Sequence, residues 1–283
     1  MSNSPRGSAL LEQVLEAYCG TNDPRWNAVA AALIRHLHEF VNEVELTPQE
    51  WMTAIQFLTE TGKQCVGPRQ EFILLSDVLG VSSAVDDLGN RGSDVTESAL
   101  LGPFYAEGST PVPHGTDITL TDGGEPLLVR GRVLDRRGAP IAGAQLDIWL
   151  TAPNKMYAVQ DSQQPAMNCR GKLLADEHGR FEFRTRKPVA YPVPTDGPVG
   201  QLLGKSGREP MRPAHIHFIV SAPGYRPVTT QVFTHDDPYI DADAVFGVKP
   251  SLMAEYQRNT DRALGCDWIL SYDFVLDDER AQR

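Results

Sequence analysis

The spacing of apolar residues changes once along this chain of 283 residues, and that change limits what it can fold into. Up to about residue 100 apolar positions recur at three and four, the period of an amphipathic helix; beyond it they alternate, the period of a strand. Residues 8–18 place Leu10, Leu11, Val14 and Leu15 on one stripe before Gly20, and residues 26–44 repeat the pattern with Val29, Leu33, Leu37 and Phe40. Thr47-Pro48-Gln49-Glu50 is a capping box with proline at the first helical position, leading into Trp51, Ile55 and Leu58 and stopping at Gly62. The same reasoning predicts a fourth helix from Pro68 to Leu79, a shorter one over 81–88, and a turn cluster at 89–94 suited to a domain junction.

From Leu127 the period is two, with Leu127, Val129, Gly131 and Val133 on one face. Further strands are expected over 145–150, 179–184, 215–221, 228–233 and 268–276, joined by Gly- and Pro-rich connections without helices of crossover length. The fold class is therefore mixed, mainly β: an N-terminal α-helical domain over 1–100 and an antiparallel β-sandwich over 101–283. A formal net charge of −11 repels phosphate backbones and acidic membrane faces, so nucleic acid is not expected as a partner. No apolar run approaches the ~18 residues of a membrane span, and the start, MSNSPRGSALLEQ, lacks a signal-type apolar stretch. Cys19, Cys65, Cys169 and Cys266 form no metal-binding spacing and fit reduced thiols, with one disulfide pair left open. The expectation is a cytoplasmic protein with no membrane insertion.

The stretch richest in chemistry is Arg212-Pro213-Ala214-His215-Ile216-His217-Phe218-Ile219-Val220. On a strand Ile216, Phe218 and Val220 share one face and both histidines the other, their Cβ atoms about 6–7 Å apart, close enough to converge on one metal. His36 and His38 have the same spacing on an expected helix, where the two side chains diverge by about 200°. The plainer alternative for His215 and His217 is a polar outer strand face. A metal needs more ligands, and the sequence has no HExxH and no cysteine set to supply them.

Here the sequence resembles a family, the intradiol ring-cleavage dioxygenases. The matching segments are Leu101-Gly102-Pro103-Phe104-Tyr105, Gly131-Arg132-Val133, Gly143 through Trp149, Ala190-Tyr191-Pro192, the histidine segment and Thr229-Thr230-Gln231. The resemblance implies one Fe(III) per subunit, held by Tyr157, Tyr191, His215 and His217, with O2 and a small aromatic diol or triol as substrates. Phenolate suits a hard, strongly Lewis-acidic ion, which fits ferric iron better than zinc. It further implies catalytic roles for Arg212, Gln231 and Tyr191, a catalytic β-sandwich, and a homodimer through the N-terminal helices with phospholipid bound among them. The family usually carries glycine two residues before its first tyrosine ligand, where this chain has Lys155.

The substrate pocket implied by the resemblance is lined by Leu74, Asp77, Leu101, Gly102, Pro103, Phe104, Val193, Pro194 and Val245. Its segments 193–200 and 243–249 are most similar to those of members that cleave hydroxyquinol. Catechol members tend to have proline at the Asp77 position, and a carboxylate there makes sense when the substrate brings a third hydroxyl. Catechol and chlorocatechol stay open as alternative substrates. Two other classes are also kept: a sandwich module used only for binding, and a double-stranded β-helix metal enzyme, which wants a further histidine after His235.

Overall fold

The computed structural model describes residues 5–67, 69–89, 94–109 and 111–279, with side chains from residue 9 onward. Pro68 and most of the expected junction at 89–94 lie outside the described residues. The chain divides into two compact units, 1–60 and 61–283. The first contains α1 (Pro5–Tyr18), α2 (Pro24–Glu43) and most of α3 (Pro48–Lys63), which crosses the boundary. Asp23 caps α2 by accepting from the backbone N–H of Arg25 at 2.9 Å and of Trp26 at 3.0 Å, with Pro24 next in line. The capping box of α3 forms reciprocally: Thr47 N donates to Glu50 Oε2 at 2.9 Å, and Glu50 N donates to Thr47 Oγ1 at 3.3 Å. The predicted stripe of α2 is real but uncovered, since Val29, Leu33, Leu37 and Phe40 are all exposed in the single chain.

The second unit begins with α4 (Glu71–Val78) and α5 (Val81–Gly89). Gly80, at φ 72°, breaks the path between them in the left-handed region that favours glycine. The strands follow as β1 (Pro126–Asp135), β2 (Gln145–Trp149), β3 (Arg170–Leu174), β4 (Arg180–Arg186), β5 (Tyr191–Pro192), β6 (Met211–Arg212), β7 (His215–Ser221), β8 (Val228–Thr234), β9 (Met253–Ala254), β10 (Tyr256–Arg258), β11 (Trp268–Ser271) and β12 (Phe274–Leu276). A helix not anticipated from the sequence, α6 (Pro198–Lys205), stands between β5 and β6. Its signals were present: proline at the first helical position, Val199, Leu202 and Leu203 at helical spacing, and lysine in the last turn.

One sheet runs β3–β2–β7–β8–β9, antiparallel except for the last pair. In the other, β1 pairs antiparallel with β4 and parallel with β11 and then β12, while β10 joins β11. Their inner faces share one core: Leu127, Val129, Phe181, Phe183 and Phe274 from the second sheet, Leu146, Ile148, Ile216, Phe218 and Val220 from the first. Phe218 ties the layers, with ring centroids 4.8 Å from Phe274 and 6.3 Å from Phe183.

The single strand expected over 268–276 is two strands. Between them Tyr272 N donates to Arg130 O at 3.1 Å, and Arg132 N turns to the Asp273 carboxylate at 2.8 Å instead of a strand carbonyl. The cause is Gly131, against which the Tyr272 carbonyl packs so closely that a Cβ there would overlap it. Gly131→Ala is therefore expected to cost about 3 kcal/mol or more of stability. Urea unfolding of the two proteins checks this, and an unchanged midpoint would contradict the packing described.

Candidate active site

The first sheet's outer face carries the chemistry. Alternation along β7 sends Ile216, Phe218 and Val220 into the core and His215 and His217 outward, yet both histidines are only 2% exposed. The register sets Trp149 of β2 and Gln231 of β8 on either side of His217. Trp149 stacks on the His217 ring at 4.6 Å and 11°. Tyr157 comes from the loop after β2, where its N–H donates to Gln160 Oε1 at 3.0 Å, and Tyr191 opens β5.

Four donor atoms meet here. Tyr157 Oη lies 3.1 Å from Tyr191 Oη and 3.0 Å from His217 Nε2, and the two histidine Nε2 atoms are 3.1 Å apart. Such edges are those of donors gathered round one ion at bonds of about 2.0–2.2 Å. His215 Nδ1 is fixed by the Pro213 carbonyl at 2.7 Å, which leaves Nε2 as the free lone pair. Burial, with the Arg212 charge beside them, holds both imidazoles well below their ordinary pKa, so they are neutral donors. Burial and the neighbouring Tyr191 push the Tyr157 phenol well above its ordinary value, so its phenolate needs a strong cation to exist. Two buried phenols, two neutral imidazoles and no carboxylate form a set that fits a hard trivalent ion. No group of three or more His, Cys, Asp or Glu side chains suited to a metal occurs elsewhere among the described residues.

Arg212, opening from the short β5–β6 ladder opposite Tyr191, is buried at the edge of this group. Its guanidinium donates to Asp243 Oδ1 at 3.1 Å and to Gln231 Oε1 at 2.8 Å, and lies 3.2 Å from His215 Nε2 and 3.5 Å from Tyr191 Oη. Burial pulls its pKa down, but Asp243 and the two phenols outweigh that and hold it above its ordinary value. Gln231 in turn donates to the Leu100 carbonyl.

A cavity opens beside Tyr191 and Arg212, walled by Leu74, Asp77, Gly102, Pro103, Phe104, Val193, Pro194 and Val245. Of the pocket residues named from the sequence, Leu101 alone is not on this wall; it is 42% exposed, and Leu100 takes its place. Asp77 is not on a helix surface but 4% exposed. Burial raises its pKa, opposed by a Ser82 hydrogen bond and the Arg212 charge. Outside the cavity a cleft of about 500 Å³ reaches the surface past Arg69, Glu71, Lys155, Met156 and Asp196. Lys155 sits at φ 68°, the left-handed region, so the glycine usual at that position has a conformational reason. A larger cleft of about 810 Å³, near Val85, Arg226 and Val275, touches none of these groups.

Sequence reasoning did not single out Asp243, Arg208 or Trp149. Arg208 donates to the Val78 carbonyl at 2.9 Å and the Ala244 carbonyl at 3.1 Å, stapling the end of α4 to the loop bearing Asp243 and Val245. Nothing in its local pattern announced this, because its partners are backbone atoms distant in sequence.

Comparison with known proteins agrees with this geometry. Residues 100–278 match the family described as Dioxygenase, and residues 23–96 the one described as Catechol dioxygenase N terminus. A hydroxyquinol 1,2-dioxygenase of Rhizobium sp. strain MTP-10005 is 48% identical over 275 residues, 94% of this chain and 93% of that protein. The chain belongs to the intradiol ring-cleavage dioxygenases. A 6-chlorohydroxyquinol 1,2-dioxygenase of Cupriavidus pinatubonensis is 44% identical, covering 94% of this chain and 96% of that protein. Among solved structures, a hydroxyquinol 1,2-dioxygenase from Pseudomonas putida DLL-E4 superposes with a TM-score of 0.90 at 47% identity, over 97% of this chain and 99% of the other. The family consists of non-haem ferric iron enzymes acting on aromatic diols with O2.

Proposed function

We propose that this chain cleaves hydroxyquinol (1,2,4-trihydroxybenzene) with O2 between its vicinal hydroxyls, giving 3-hydroxy-cis,cis-muconate, which tautomerises to maleylacetate. The observation that carries the reading is the buried meeting of Tyr157, Tyr191, His215 and His217 beside a cavity that holds the Asp77 carboxyl. These four side chains would hold one Fe(III) per subunit. The ion, when bound, would supply the Lewis acidity and redox character that activate a vicinal diol toward O2.

The rest falls to the chain's own residues. Tyr191, on the cavity wall, would be a phenolate as a ligand and as such would accept one proton from the incoming diol, becoming a neutral phenol. Arg212 keeps its charge under all conditions and stabilises negative charge developing on the ring. Gln231 holds Arg212 in place from β8 and orients the oxygen-bearing side of the site. Asp77 accepts the third hydroxyl of hydroxyquinol, while Leu74, Pro103, Phe104 and Val193 pack the ring and exclude water.

On the same reading the chain works as a cytoplasmic homodimer. The helical domain over 1–100 would provide the contact and the β-sandwich over 101–283 the catalysis. Support comes from the exposed stripe Trp26, Val29, Leu33, Leu37 and Phe40, more apolar surface than a lone helix pair usually leaves to water. Phospholipid chains would fill what the partner does not cover. No helix among the described residues is long and apolar enough to cross a membrane. Sedimentation is expected to give twice the 31.1 kDa of one chain; a monomer at micromolar concentration contradicts the dimer.

Purified protein is expected to be red, from tyrosinate-to-iron charge transfer, and Tyr157→Phe or His217→Ala to lose both colour and ring cleavage. Colour and activity that survive either change would move the ligands elsewhere.

Asp77→Asn separates the substrate readings. A hydrogen bond to a buried charged group is worth about 1.5–3 kcal/mol, so kcat/KM for hydroxyquinol should fall by about one to two orders of magnitude. The value for catechol should change little, and oxygen uptake with the two diols reads the difference; an equal response would favour a catechol enzyme with an incidental aspartate. Because burial raises the Asp77 pKa, the folded protein keeps this proton longer than the unfolded chain, and stability falls as pH rises past the ordinary carboxylate range. Asp77→Asn should therefore be more stable than wild type at neutral pH, the gain vanishing below that range.

A further inference from the structure

Glu71, the first residue of α4, has a side chain with no exposed surface. Its Oε2 accepts from Arg69 Nε at 3.0 Å and Nη2 at 2.8 Å, and its Oε1 accepts from the backbone N–H of Val199, at the start of α6, at 3.2 Å. Arg69 then reaches outward, its Nη1 donating to Asp196 Oδ2 at 2.8 Å. Gly197 lies so close beneath that a Cβ there would overlap both the Glu71 carboxylate and the Arg69 guanidinium. The bonds from Val199 N to Glu71 and from Arg69 to Asp196 therefore tie the first turn of α4 to the loop ahead of α6, and the Arg69–Glu71 pair, two residues apart on one side, braces the two arms.

The position of this lock matters because of what it holds. Leu74, Pro103, Phe104, Val193 and Pro194 line both the surface cleft and the inner cavity, so they form the neck between the two. Leu74 stands one turn along α4 from Glu71, and Val193 and Pro194 run directly into Asp196. Contacts among five apolar side chains are non-directional and do not define a spacing. Charge-assisted bonds of fixed donor geometry across it, from Val199 N to Glu71 and from Arg69 to Asp196, do.

We propose that Arg69, Glu71 and Asp196 form a charged clasp that sets the width of this neck, and thereby determines which ring substituents pass to the reaction cavity. The assignment rests on the functional reading above. None of the three lines the inner cavity; they are positioning residues acting through Leu74, Val193 and Pro194. Glu71 is the inner and stronger half, because its carboxylate is out of water, whereas the Asp196 side chain is 73% exposed and its bond to Arg69 is screened by salt.

The test compares kcat/KM for hydroxyquinol with that for a bulky diol, 4-tert-butylcatechol, on the iron-loaded enzyme. Glu71→Gln removes the charge that braces Arg69 and turns the bond from Val199 N into a neutral one, so both arms loosen, and it should raise the bulky-to-small ratio about tenfold, chiefly through KM. Asp196→Asn should raise it less, high salt should move the wild type toward Asp196→Asn, and Arg69→Lys should retain part of the discrimination. The charge-transfer absorbance should be unchanged in all of them, which a merely structural loss would not leave intact. If Glu71→Gln loses the absorbance, the ratio measured for Asp196→Asn, a change at the surface, decides alone. An active wild type whose ratio survives every substitution overturns the clasp; a wild type that turns over neither diol overturns the functional reading and the clasp with it.

Discussion

A guanidinium taken out of water has to be surrounded by acceptors, and the surroundings of Arg212 organise the site. Asp243, Gln231, Tyr191 and His215 reach it from four different segments of chain. Removing one partner of such a buried pair costs about 3–5 kcal/mol because the other charge is left alone. The arrangement is therefore held as a unit rather than contact by contact. Asp243 extends it, since its carboxylate also accepts from the backbone N–H of Val245 at 3.3 Å and of Gly247 at 2.9 Å, so the loop forming one cavity wall is tied to the same charge that lines the cavity.

The second constraint is the alternation of a strand with both faces buried. β7 gives its inner face to the core and its outer face to the histidines, and an outer face becomes dry only if other segments cover it. Phe104 and Tyr105 do so, Phe104 stacking on Tyr157 at 4.8 Å and Tyr105 lying 4.9 Å from Trp149. Neutral imidazoles and a Tyr157 phenol reluctant to ionise follow from that cover, and such a donor set fits a cation of high charge.

Legibility in the sequence followed the range of each interaction. The capping box at Thr47–Glu50, the stripe of α2 and the His215–Ser221 strand depend on neighbours within a few residues and were read with nearly the observed bounds. The helix α4 begins later than expected, and the strand expected over 268–276 is broken by a carbonyl packed on Gly131, 141 residues before Tyr272, which no local pattern carries. Asp77 was legible as a residue type at a position, but its burial was not, because it depends on α4 packing against the loop that Arg208 staples. As a set, the four candidate ligands, Tyr157, Tyr191, His215 and His217, were accessible only through family resemblance. Spacing suggested the histidine pair, but nothing local joins a loop tyrosine to one on a two-residue strand.

The same residues also show where stability and activity pull apart. Lys155 holds a left-handed backbone that glycine would adopt without strain, and Asp77 holds a carboxyl in a cavity whose other walls are mostly apolar. Each is a local cost of order 1 kcal/mol or more, of the kind that persists where surrounding structure over-determines it. Both lie on the path from the surface to the four candidate ligands, one at the mouth and one inside, and neither is needed to build the sandwich. A chain selected for stability alone would replace them with glycine and an apolar residue. The Asp77 carboxyl is understandable if the cavity must recognise a hydroxyl that an apolar wall would leave without a partner.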